Sequence, residues 1–111
     1  MKIKKNSKKP IVLSEFGGYS YKINKHSFNL NKTYGYKLFD DREKFESAIE
    51  ELYRNEIIPA IEKGLCASVL TQVSDVEDET NGLFTYDRQV LKISEERMKN
   101  ISDDIYKCFK K

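Results

Sequence analysis

Two short apolar runs, Ile11-Val12-Leu13 and the stretch from about Cys66 to Val73, read as β-strands buried in a sheet, and a single amphipathic helix lies between them. That order constrains the fold more than anything else in the 111-residue chain. Ile11 to Leu13 are apolar on both faces of the pleat, as in a parallel strand covered on two sides. In the second run Ala67, Val69 and Val73 alternate with Ser68, Leu70 and Gln72, so one face is less apolar. The helix has its apolar side at Phe45, Ala48, Ile49, Leu52, Tyr53, Ile57, Ile58 and Ile61. Asp40 offers an N-cap with Glu43 three residues on, and Gly64 closes the element. Pro59 falls inside the pattern, removes a backbone donor and is expected to loosen the last turn.

A strand, helix and strand in this order make a right-handed parallel crossover, and the fold class is α/β. A second helix follows, capped by Ser94 and striped with Met98, Ile101, Ile105, Cys108 and Phe109. Two parallel strands are not a self-sufficient sheet. Each leaves an unpaired edge, and the face opposite the helices exposes Ile, Val and Leu. The chain is therefore expected to be an incomplete domain or to associate.

Charge adds little. Twenty Lys and Arg against 18 acidic residues leave a net charge of +2, too small to imply nucleic acid or an anionic membrane as partner. The excess sits in basic tails at residues 1–9 and 110–111, flanking a domain over 10–109, and such tails are usually solvated. No apolar run reaches membrane-spanning length. Cys66 and Cys108 lack metal or redox spacing and are expected to be buried, reduced thiols, which fits a cytoplasmic setting.

Glu15 is the residue with the most chemical promise. It ends the first apolar run and precedes Gly17 and Gly18, which let the backbone turn sharply or approach a ligand. In a (β/α)8 barrel the chemistry sits at this end of the strands. Taken alone, the same residue also fits an ordinary loop carboxylate. Residues 19–39 show no period and hold four tyrosines, the signature of a functional loop. Tyr19, Tyr21, Tyr34 and Tyr36 suit packing of that loop, each also carrying an aromatic face and a hydroxyl that can meet a ligand.

Three motifs in sequence give a resemblance. Ser14-Glu15-Phe16-Gly17-Gly18, the run from Thr71-Gln72-Val73-Ser74-Asp75 to Thr80-Asn81-Gly82, and Leu83-Phe84-Thr85-Tyr86-Asp87-Arg88 together resemble the C-terminal end of the catalytic barrel of glycoside hydrolase family 2. That group includes β-galactosidases, β-glucuronidases and β-mannosidases. The resemblance runs from about Pro10 to Lys107 and implies strands seven and eight, with their helices, of a (β/α)8 TIM barrel, incomplete by itself. It implies that Glu15 is the nucleophile of a retaining β-glycosidase that needs no cofactor and no metal. It places Tyr19, Tyr36, Asp75 and Glu77 on a rim that binds the carbohydrate substrate. The partner it implies is the rest of the barrel. The alternative is a non-catalytic remnant or a self-associating structural protein.

The family's acid/base glutamate, which follows an asparagine on the fourth strand, has no counterpart here. Asn55-Glu56 has the letters but falls mid-helix, so the isolated chain is expected to be inactive. Asp75, Glu77, Asp78 and Glu79 do not make a calcium loop, because the sixth position from Asp75 is Thr80 and not glycine. Asp87 and Arg88 are expected to pair locally. His26, the sole histidine, has no evident partner for a triad or a metal.

Overall fold

A computed structural model of the chain describes residues 10–23, 26–27 and 37–109. The two basic tails and Tyr34 and Tyr36 lie outside the described residues. The elements are β1 (Ile11–Gly17), β2 (Tyr19–Tyr21), β3 (Lys37–Phe39), α1 (Arg42–Leu52), a π-helical turn (Tyr53–Ile57) leading directly into α2 (Ile58–Glu62), β4 (Leu65–Thr71) and α3 (Glu95–Phe109). β1 and β4 pair in parallel, with the α1–α2 helix as the crossover between them. The mixed α/β class is as expected.

Three local expectations are corrected. Asp41, not Asp40, caps α1: its backbone is extended, and its carboxylate accepts from the amides of Glu43 at 2.7 Å and Lys44 at 3.4 Å. Asp40 comes one residue too early for that reach. The tyrosine-rich stretch contains structure after all, since β2 and β3 pair in parallel in the register Tyr19↔Lys37, Ser20↔Leu38 and Tyr21↔Phe39. Cys66 is exposed rather than buried, because β4 slips register beside it, between Ile11↔Leu65 and Val12↔Ala67. Cys108 is half-buried, and both thiols are free. β4 also stops at Thr71, where the Gln72 amide leaves the ladder to donate to the Asn81 carbonyl at 3.0 Å.

The crossover helix shows why Pro59 is tolerated. Proline offers no N–H to a carbonyl four residues back. Here the helix widens first, and the Ile58 amide donates to the Tyr53 carbonyl, five residues away. The same widening serves the core. Phe45, Ile49, Tyr53 and Ile57 are all buried at a spacing of four, a pattern that would drift around a helix of 3.6 residues per turn. The wider turn takes up the drift. These residues pack with Ala60, Leu65, Ile93 and Ile101 into one core, against which Ile11, Leu13, Phe16 and Leu70 of the sheet also rest.

Among the described residues, no element covers the opposite sheet face. Val12 is 53% exposed and Val69 54%, with Val73 just beyond β4 at 71%. No helix among the described residues is long and apolar enough to cross a membrane.

Candidate functional site

Glu15 sits on that bare face because β1 bulges there. Leu13 pairs with Ser68 and Phe16 with Leu70, so two residues, Ser14 and Glu15, lie opposite the single Val69. Strict alternation would turn one of the two inward. The bulge leaves both exposed, and such an irregularity commonly re-aims a side chain beside a site. Phe16 then returns to the core and meets the Tyr53 ring edge-on, with centroids 5.2 Å apart. Glu15 makes no side-chain hydrogen bond or ion pair with the described residues.

The end of β1 is closed by the two glycines. Gly17 has φ of 89°, and a Cβ there would come within 2.8 Å of Leu70 Cδ1. Gly18, with φ of 72°, is buried and donates its amide to the Thr71 carbonyl at 3.1 Å. The carboxylate thus stands near the C-terminal end of a parallel pair, with β1 tied to β4 just beyond it.

The other residues singled out from sequence are distributed differently. Tyr19 lies against the helix layer: its ring is 5.6 Å from that of Phe39, with Lys37 Nζ 5.8 Å from its centroid. It borders a groove of about 320 Å3 with Lys37, Glu51 and Glu56. Burial, and then the charges of Glu56 and Glu51, raise its phenol pKa above the ordinary value. Glu77 is exposed at the tip of a tight turn, with φ of 51°. That turn is closed by reciprocal bonds between Val76 and Glu79, at 3.0 and 2.9 Å. Tyr36 falls outside the described residues.

Asp75 is turned inward, at 1% exposure. Its Oδ1 accepts from Lys92 Nζ at 2.6 Å and from the Gly82 amide at 2.9 Å. Lys92 is fully buried and also donates to the Thr80 carbonyl at 3.0 Å. Burial pushes the Asp75 carboxyl up and the Lys92 ammonium down, against the attraction of each for the other. A lysine ordinarily reads as exposed, and sequence reasoning passed it over. The available signal was its place between Leu91 and Ile93.

Asp87 does not pair with Arg88. It accepts from the Thr85 hydroxyl at 2.6 Å and the Gln89 amide at 3.0 Å, while its other oxygen meets His26 Nδ1 at 2.5 Å. The Arg88 guanidinium instead donates to the Tyr86 carbonyl at 3.0 Å. Thr85, then Gln89 and His26, hold the Asp87 carboxyl at about 2. His26 therefore has a partner that its sequence neighbourhood did not reveal, 61 residues away.

Asn55 and Glu56 lie in the π-turn, exposed on the helix layer, while Glu15 stands on the opposite, bare face of the sheet. No protein-family model matches the chain, and no curated protein matches it.

Proposed function

We propose that this chain is the C-terminal portion, strands seven and eight with their helices, of the (β/α)8 barrel of a retaining β-glycosidase of the family 2 type, with Glu15 as nucleophile. The observation that carries the reading is the setting of Glu15. An exposed carboxylate without a partner among the described residues stands near the C-terminal end of a parallel strand, lifted by a bulge onto the apolar face that the helices leave bare. Parallel sheets are covered on both faces. In a closed barrel this face points into the interior, and its C-terminal end opens onto the site.

Retention requires a second carboxylic acid about 5 to 5.5 Å from the nucleophile. The proposal assigns that acid to a strand of the remaining barrel, because Asn55-Glu56 lies on the wrong side of the sheet. The chain alone is then inactive, and its partners are the other strands and the carbohydrate they help to bind. Two free thiols suit a cytoplasmic setting for such an enzyme.

The test is covalent capture. The chain is combined with a polypeptide supplying the first six strands, including an Asn-Glu on the fourth, and treated with 2-deoxy-2-fluoro glycosides. The expected product is an ester on Glu15, mapped by peptide mass. Labelling elsewhere, or turnover that survives Glu15→Gln, rejects the assignment.

A second reading, self-association, is favoured by the exposure of Val12 and Val69 on the sheet and of Val73 just beyond it. It predicts a concentration-dependent oligomer of the chain alone that Val69→Glu dissociates, read by sedimentation equilibrium.

A further inference from the structure

We infer that the buried Lys92–Asp75 pair is a positioning device for the Glu15 end of β1, acting through the loop of residues 72–84. The inference rests on reading Glu15 as the site, and it adds the residues that hold the site's surroundings in place.

The connection is a series of hydrogen bonds joined by two covalent steps along the loop. Lys92 Nζ reaches Asp75 Oδ1 at 2.6 Å and the Thr80 carbonyl at 3.0 Å. The same Thr80 carbonyl accepts the Tyr21 amide at 3.1 Å, which ties the ammonium to the chain just past Glu15. The same Asp75 Oδ1 also accepts the Gly82 amide at 2.9 Å. The neighbouring Asn81 carbonyl accepts the Gln72 amide at 3.0 Å, and the Gln72 side chain donates to Asn81 Oδ1 at 2.6 Å. Gln72 follows Thr71, whose carbonyl accepts the Gly18 amide. Gly18 and Tyr21, both shortly after Glu15, are therefore held by two acceptors: the Thr80 carbonyl, bonded directly to the ammonium, and the Thr71 carbonyl, reached through Gly82, Asn81 and Gln72.

The chemistry of the pair fits this role. Lys92 and Asp75 are both removed from water, and the second oxygen of Asp75 is buried without a hydrogen-bond partner among the described residues. A buried ion pair contributes little net stability compared with an apolar pair of similar volume, because desolvation offsets the attraction. What an apolar pair cannot supply is directionality. A leucine at 75 has no acceptor for Gly82, and a methionine at 92 has no donor for Thr80.

The test separates geometry from stability. Amide hydrogen exchange is followed by NMR on the full chain in three forms: wild type, Lys92→Met, and Asp75→Leu with Lys92→Met. The expected result is that exchange at Gly82, Tyr21 and Gly18 rises tenfold or more in both variants. In the double variant the amides of α1 and α3 keep wild-type rates. Wild-type protection of Tyr21 and Gly18 in the double variant overturns the inference, and so does uniform acceleration across α1 and α3, which marks a purely structural pair. Loss of protection at these amides in the wild type also overturns it. In the completed barrel, the double variant is expected to label Glu15 at least tenfold more slowly than wild type. If wild type itself is never labelled, the glycosidase reading falls, while the exchange pattern still decides the role of the pair.

Discussion

Arg97 of α3 donates to Glu46 of α1 at 2.9 Å, and this contact joins the two helices that flank the core. Glu46 is only 7% exposed, yet it is fully occupied. It also accepts the Ser94 amide at 2.9 Å, at the cap of α3, and Arg42 Nε at 3.2 Å from its own helix. Arg97 reaches Glu43 at 3.1 Å and Glu50 at 3.5 Å as well, one turn to either side.

Glu46→Ala leaves the Ser94 amide without its acceptor, while Arg97 keeps Glu43 and Glu50. An unsatisfied amide together with the lost charge-assisted bond costs about 2 kcal/mol. Glu46→Gln keeps an acceptor for Ser94 and costs about 1 kcal/mol, the scale of one ordinary hydrogen bond. Urea unfolding checks both, and equal midpoints for Ala and Gln contradict the assignment.

The Asp87 carboxyl, held at about 2, sets an acid limit for its turn. A carboxyl depressed in the folded state favours folding above its unfolded value near 4, and that contribution fades as pH falls through about 2. Carbon-13 titration should place the Asp87 midpoint near the lower value. Thr85→Val removes the largest cause and should move the midpoint upward, while Gln89→Ala, which keeps the amide, should not.

Gly82 is the least replaceable of the described glycines. A Cβ there would lie 2.2 Å from Asp75 N and from Ser74 C, backbone atoms that cannot give way. Gly64 has φ of 113°, but the nearest atom to an added Cβ is Ile11 Cδ1 at 3.7 Å. Gly82→Ala should therefore cost about 3 kcal/mol or more through overpacking, and Gly64→Ala about 1 to 2 kcal/mol through backbone conformation alone. Thermal unfolding of the two variants gives the ranking.

Glu15→Gln touches nothing that holds the fold together. Stability should stay within about 0.5 kcal/mol of wild type, as for surface changes away from special features. In a completed barrel the same substitution should abolish covalent labelling. A large loss of stability, measured by denaturant, would mark Glu15 as structural.

Periodicity made the large elements legible. The crossover helix, its end at Gly64 and the Ser94 cap followed from spacing, as did the parallel pairing of two apolar runs. β2 and β3 were hidden because three residues are too few to show a period, and their pairing depends on α1 packing against them. The cap moved from Asp40 to Asp41 because adjacent aspartates differ only in reach. Tertiary polar contacts left the weakest trace: Lys92 and Asp75 lie 17 residues apart, and only the apolar neighbours of Lys92 hint at burial. The bulge at Ser14 and Glu15 is likewise a property of the pairing, since it exists only against Val69.

The parallel arrangement of β1 and β4 also fixes an order of assembly. Antiparallel neighbours can zip up from a short turn, whereas parallel ones must wait for the crossover between them. Here α1, the π-turn and α2 have to form and fold back before Ile11 finds Leu65. Closing so long a loop is repaid only by contacts made afterwards. The setting of Glu15 is thus expected to form late as the chain folds, and to be lost early when the helix layer loosens.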